Sequence, residues 1–322
     1  MATIGNTVLT VNDWAKRVDP DGKISVIAEM LSQTNEILMD LPFIEGNLPT
    51  GNRMTLRTRL PDVYFKILNR GVPTSKSTTA QVDEQAGNLV AFSEVDCDEA
   101  DLNGNANAYR LSEGKAFVQS MNQRMAKTLF YGNPSKNIEE FMGMSVRYSQ
   151  LAGAGNSQNV INAGGTGNDT FSIWLMNFSE MTTFGFFPKG SMVGLSHEDR
   201  GKITIEDGNR RQDVYRDKWQ WKVGVGVKDT RYNVRIVNCK TDTMNLADLM
   251  IDALNTVPDL NTGKFCFAMN RSAITLLDKQ RRRDVSQGGM TYDVVDGKPK
   301  PHFWGIPIRK MDALLNSEMA LT

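Results

Sequence analysis

The sequence is poor in the residues that most often carry chemistry. Its 322 residues include three cysteines and two histidines, and 37 lysines and arginines balance 37 aspartates and glutamates, so the formal net charge is zero. Cys97, Cys239 and Cys266 are far apart and odd in number, which argues against a disulfide framework or a CxxC metal clip and fits reduced thiols. Displacing counterions from phosphate takes surplus Lys and Arg, so a nucleic-acid condenser is excluded and any contact with DNA is expected to be loose or local. No run of about 18 apolar residues occurs, and Met1 to Val11 lacks a basic segment followed by an apolar one. Neither a membrane span nor a signal peptide is expected.

Nucleotide and catalytic signatures are missing as well. The five Gly-Lys pairs continue with Ile24, Ala116, Ile203, Phe265 and Pro299, where a phosphate loop needs Ser or Thr to hold magnesium. Gly224-Val225-Gly226 has Asp229 in place of the third glycine of a dinucleotide turn, and Gly143-Met144-Ser145-Val146-Arg147 ends wrongly for a nucleophile elbow. His197 and His302 lack HExxH spacing and read as surface or partly packed side chains. Asp96, Asp98 and Asp101 mimic the start of a calcium loop, but Asp101 stands where glycine is required and Asn107 where a bidentate glutamate is required. No catalytic residue, cofactor or metal is expected. Carboxylate-only chemistry is left open, with no pair singled out.

What is present is 40% apolar residues, enough for one large or two modest domains. The residues from Asp19 to Met39 have the pattern of an amphipathic helix, capped by Asp19 and preceded by a polar arm, Met1 to Val18. Arg53 to Leu60 alternates with period two, Gly71 to Gly87 is polar, and Leu89 to Val95 alternates again, which predicts two strands flanking a long tip. Such a hairpin carries open edges and is marginal alone, so it is expected to project and to pack on another subunit. Ser112 should cap a helix running to Tyr131, with Phe117, Val118, Met121, Met125 and Leu129 as core.

Gly153 to Asp169 reads as a linker. Met192–Leu195, Lys202–Ile205, Trp219–Lys228, Asn233–Val237 and Lys264–Met269 read as strands, and the stretches from Leu246 and over Ser272–Arg282 as helices. Gly305 to Ile308 reads as an edge strand because of Pro307. In the Trp219 strand, Gly224 and Gly226 share one face and permit close approach of another backbone. Mixed without a βαβ rhythm, these elements define an α+β class.

The order of the pieces resembles the major capsid proteins of tailed bacteriophages, with the Hong Kong ninety-seven-type fold, and within them a podovirus-like branch without a fused scaffold domain. The stretches that carry the resemblance are Ala100-Asp101-Leu102-Asn103-Gly104-Asn105, Tyr109-Arg110-Leu111-Ser112-Glu113 and Thr128-Leu129-Phe130-Tyr131-Gly132-Asn133. Further along come Phe187-Pro188-Lys189-Gly190-Ser191, Lys222 to Asp229, Arg231 to Ile236 and Trp304-Gly305-Ile306-Pro307-Ile308-Arg309. Thr230 departs from the aromatic residue more usual in that branch.

The resemblance implies an N-terminal arm over 1–49, an extended hairpin loop over 50–92, a peripheral domain over 93–240 with a spine helix at 112–131, and an axial domain over 241–322. Residues 153–239 stay open between the last two. It implies a shell of pentamers and hexamers enclosing double-stranded DNA, assembled in the host cytoplasm. The partners would be other copies of the chain, a separate scaffolding protein, a portal and a decoration protein, with weak DNA contact and no membrane. Arg57, Arg59, Arg281, Arg282 and Arg283, set against Glu94, Asp96 and Asp98, are the candidate intersubunit pairs. Lys66 and Lys76 find no positional match to cross-linking lysines, so no covalent link is expected. The alternatives are an encapsulin-like compartment shell and a carboxylate-based hydrolase with an oligomerisation arm.

Overall fold

The computed structural model describes residues 35–321 except 103–104, 154, 208–209, 241–243, 284–289 and 296–297. Most of the expected 19–39 helix and the arm before it lie outside these residues. A single helical turn, Ile37–Asp40, precedes β1 (Phe43–Glu45), β2 (Gly51–Arg59), β3 (Thr78–Gln85) and β4 (Gly87–Asp96). A short turn, Cys97–Asp101, leads to the long helix α1 (Ala106–Tyr131), followed by a turn at Met144–Arg147, β5 (Val160–Asn162), β6 (Phe171–Phe178) and β7 (Thr183–Phe187). Then come β8 (Leu195–Asp207), β9 (Arg210–Val227), β10 (Val234–Cys239), α2 (Leu246–Thr256), β11 (Lys264–Met269) and α3 (Arg271–Arg283). The last three strands are β12 (Met290–Val295), β13 (Lys298–Phe303) and β14 (Ile306–Lys310).

Twelve of the strands form one mixed sheet, with a main path β12-β13-β14-β11-β6-β7-β9-β4. Its centre is covered on both sides, so β6 and β11 read as nearly continuous apolar runs. On β6, Trp174, Met176 and Phe178 face the cluster built with Met125, Leu129 and Phe130 of α1, while Phe171, Ile173 and Leu175 face the cluster of α2 and α3. On β11, Cys266 and Ala268 take the first side and Phe265, Phe267 and Met269 the second. Period-two geometry thus sends one strand's side chains into two cores. Pro307 does not mark an edge: β14 lies between β13 and β11, and its parallel register with β11 begins only at Ile308. The Gly153–Asp169 stretch is no bare linker, since β5 within it pairs with β10.

Helix α1 starts before Ser112. Asn105 is the cap, its side chain accepting the Ala108 N–H, and this adds nearly two turns to the expected helix. Gly114 brings α1 onto the sheet, where a Cβ would stand 2.9 Å from the Trp219 ring.

The hairpin pairs differently from the sequence expectation. Its returning strand is β3, in register from Gly51↔Gln85 to Arg59↔Thr78, whereas the Leu89–Val95 stretch belongs to β4 and pairs with β9. The hairpin root sits on the glycine face of β9. Opposite Gly226 and Gly224 stand Phe184 and Phe186 of β7, each with its ring laid over its glycine, and Met54 of β2 completes that small core. Gly224 also lies close to the Gln85 carbonyl, so the missing side chains make room for two rings and a backbone.

Candidate intersubunit surfaces

Between β2 and β3 the chain runs through Leu60, Val63, Tyr64, Phe65, Ile67 and Leu68, all exposed, with Phe65 entirely so. Isolated exposed apolar residues are ordinary, but this many in one tip mark an interaction site. The tip is locally braced by the Arg59–Asp62 pair at 3.1 Å and by the Ser75 hydroxyl donating to the Asp62 carbonyl at 2.5 Å. Along the shaft, Arg53 pairs with Asp83 at 2.6 Å, and its hydrogen bond holds that carboxyl below its ordinary range. Arg57 is exposed, and no ion pair reaches it among the described residues.

The attachment of the hairpin is buried and charged. Arg147 donates from Nη1 and Nη2 to the two Glu84 carboxylate oxygens at 2.6 and 2.7 Å, and the side chains are only 10% and 6% exposed. Nη2 also reaches the Val225 carbonyl at 3.2 Å, which ties β3, the 144–147 turn and β9 together. A bidentate pair fixes direction as well as distance. The base of the hairpin is therefore fixed to the main sheet.

The acidic segment is partly committed within its own chain. Glu94 pairs with Arg216 at 2.6 Å; Asp96 caps the 97–101 turn by accepting the Asp98 N–H and also accepts from Gln212 at 2.8 Å. Asp98 is exposed. Among the described residues, no ion pair joins this segment to Arg57 or Arg59 of the same chain. The side chains of Arg281, Arg282 and Arg283, at the end of α3, lie outside the described residues.

Two further polar networks have no counterpart in the sequence reading. Arg110 of α1 donates to Asp217 at 2.8 and 3.1 Å and to Asp199 at 2.6 Å, while His197 meets Asp217 at 2.9 Å and stacks on Trp219 with ring centroids 4.2 Å apart. This clamps α1 to the β8–β9 hairpin and gives the exposed His197 a structural partner on one side. Near the C-terminus, the half-buried Glu318 accepts from Arg235 at 2.9 Å, from Ser172 and from the Tyr131 hydroxyl, whose pKa burial pushes up. Arg110 and Asp217 are 107 positions apart and Arg235 and Glu318 are 83 apart, and no local pattern links either pair. No cluster of metal-ligating side chains occurs among the described residues, and none of their helices is long and apolar enough to cross a membrane.

Known proteins place this architecture. The family described as "Major capsid protein GP7" matches residues 19–322. A chain of the cryo-EM structure of bacteriophage Epsilon15 superposes with a TM-score of 0.76 at 30% identity, each chain covered in full. The capsid of bacteriophage JBD30 (TM-score 0.47, 10% identity, 88% of this chain and 92% of that one) and the SrpI encapsulin of Synechococcus elongatus (0.45, 8%, 74% and 98%) are too distant to carry an argument. No curated protein sequence matches. Family match and full-length superposition agree with the long hairpin, the long helix and the mixed sheet: the chain belongs to the GP7 major capsid proteins of phages and serves a structural role in the capsid.

Proposed function

We propose that the chain forms pentamers and hexamers of an icosahedral shell around double-stranded DNA, with neighbouring copies covering the hairpin tip. The observation that carries this is the exposed apolar tip on a rigid, buried root. Full burial of Val63, Phe65, Ile67 or Leu68 contributes about 1.5–3 kcal/mol each, against about 0–1 kcal/mol for an exposed ion pair. Apolar burial repeated at every copy therefore dominates the assembly energy, and charge sets register. Arg57 and Asp98, both exposed and without an ion pair among the described residues, are the best-placed members of the two candidate sets for pairing across copies; Arg59, Glu94 and Asp96 already have partners in their own chain.

In this reading 1–49 is the arm, the extended loop runs from 50 to 86 rather than to 92 because β4 belongs to the main sheet, 87–240 is the peripheral unit and 241–322 the axial unit. Packing of β6 and β10 against α2 supports counting those two strands with the axial unit. Balanced charge suits a wall that holds DNA without adhering to it. A scaffolding protein, a portal and a decoration protein complete the proposed partners, and assembly takes place in the host cytoplasm. Sedimentation and cryo-electron microscopy of the purified chain test the reading. Capsomers or closed particles are expected, with DNA in particles from infected cells; a discrete small oligomer at every concentration, with or without scaffold, refutes it.

A further inference from the structure

Among the described residues, three non-glycine positions have positive φ: Asn69 (63°), Asn238 (60°) and Trp304 (51°). Asparagine tolerates the left-handed region, whereas for a bulky side chain it is a conformational outlier. Trp304 and Gly305 (φ 80°) form the two-residue link between β13 and β14, with the backbone signs of a type I′ turn, whose first position favours Asn, Asp or Gly. Local conformation thus selects against tryptophan at this place.

Polar and ring contacts among the described residues do not reward it either. Trp304 is 65% exposed, and among the described residues its indole makes no hydrogen bond, ring stack or cation contact. Its neighbour Phe303, by contrast, is buried with its ring edge-on to Phe267 at 5.9 Å. The strand beneath is therefore anchored, and the turn presents the indole from a fixed place. Strain retained with no polar or ring contact among the described residues points to use outside the molecule. A pre-positioned tryptophan is a typical interface hot spot.

Register identifies the surroundings. β14 runs parallel to β11 with Ile308 beside Phe267, and β11 runs antiparallel to β6 with Lys264 beside Phe178. The Trp304 turn thus leaves the sheet at the same end as Leu260, Lys264, Glu180 and Met181, all of them exposed. That end combines apolar side chains with charges of both signs, Lys264 against Glu180 and Asp259. Acid and base on one surface can pair with base and acid of the same surface on another molecule, so a second copy of this chain is the occupant these charges favour.

We propose that Trp304 is an anchor of a contact between copies of this chain, inserting into an adjoining copy separately from the hairpin. The proposal rests on the capsid reading, and it is tested in the full chain with two variants. Trp304→Asn should leave the unassembled chain at least as stable to heat as wild type, because Asn suits the turn. It should raise the protein concentration needed for assembly by about tenfold or more, the effect of losing one strong anchor. Assembly at the wild-type concentration overturns the inference. A photo-crosslinking phenylalanine analogue substituted for Trp304 should yield dimers of the chain in assembled particles; a product with a different protein, or none, also overturns it. Failure of the wild-type chain to assemble at any concentration, with or without scaffold, would instead refute the proposed shell.

Discussion

The buried pair at the hairpin root allows a quantitative test. Replacing Glu84 by Ala removes both acceptors of a bidentate bond and leaves the Arg147 guanidinium in a site where it is 10% exposed. Breaking a buried pair from one side costs about 3–5 kcal/mol, because the remaining charge is neither solvated nor compensated. Arg147 keeps the Val225 carbonyl at 3.2 Å and the Met142 carbonyl at 3.4 Å, which places the expected loss near the lower end, about 3 kcal/mol. At about 2–4 °C per kcal/mol for a large domain, Tm of the unassembled chain should fall by roughly 6–12 °C. Differential scanning calorimetry reads this directly. The double variant Glu84→Leu, Arg147→Met removes both charges and should recover most of the loss, since an apolar replacement for a buried pair is often neutral or better. A single-variant loss below about 1 kcal/mol, or a double variant worse than the single, would refute a role for this pair in holding the root. Particle yield should follow Tm, because a loosened root no longer aims the tip.

Other parts of the chain give independent checks. Gly224→Ala sets a Cβ 2.5 Å from the Phe186 ring and 2.8 Å from the Gln85 carbonyl, so it should cost about 1–3 kcal/mol by overpacking, measured by urea unfolding. The Asp199 carboxyl is held below its ordinary value of 3.8, chiefly by the Arg110 hydrogen bond and then by the Gly201 N–H. A depressed folded value means that its stabilisation is present above about pH 4 and is lost as pH falls through the folded value. Asp199→Asn should therefore lose less Tm than wild type between pH 5 and about 2.5, and equal losses would contradict this. All three thiols are buried, and burial raises their pKa values, that of Cys239 to about 12. At pH 8 the native chain should resist a thiol reagent that labels the unfolded chain at every cysteine, and rapid native labelling would show an open core.

Legibility in the sequence followed the physics of each element. β11 matches its expected span of Lys264–Met269, and α2 begins at Leu246 as its period indicates, because short buried strands and amphipathic helices carry their pattern locally. β6 escaped notice because a strand buried on both faces shows no alternation; Phe171 to Phe178 is a plain apolar run. β3 was hidden for the opposite reason. Thr78 to Gln85 is polar and mostly exposed, and only its pairing with β2 makes it a strand. The long connection after β2 was legible as a gap between strands, but the Glu84–Arg147 root was not, since nothing local announces a contact 63 residues apart. The candidate ionic residues divided in the same way. Charge pattern singled out Arg57 and Asp98, which are exposed, together with Glu94, whose partner Arg216 is brought to it by the β4–β9 register.

The central claim is that the hairpin tip, open in the single chain, becomes buried by neighbours in the shell. Hydrogen exchange across Val63 to Leu68, compared between unassembled chain and purified particles, addresses it most directly. The account predicts fast exchange in the free chain and protection of at least about a hundredfold in particles, as expected when a strand-flanked loop is packed and its amides are paired. Equal, fast exchange in both states would contradict it.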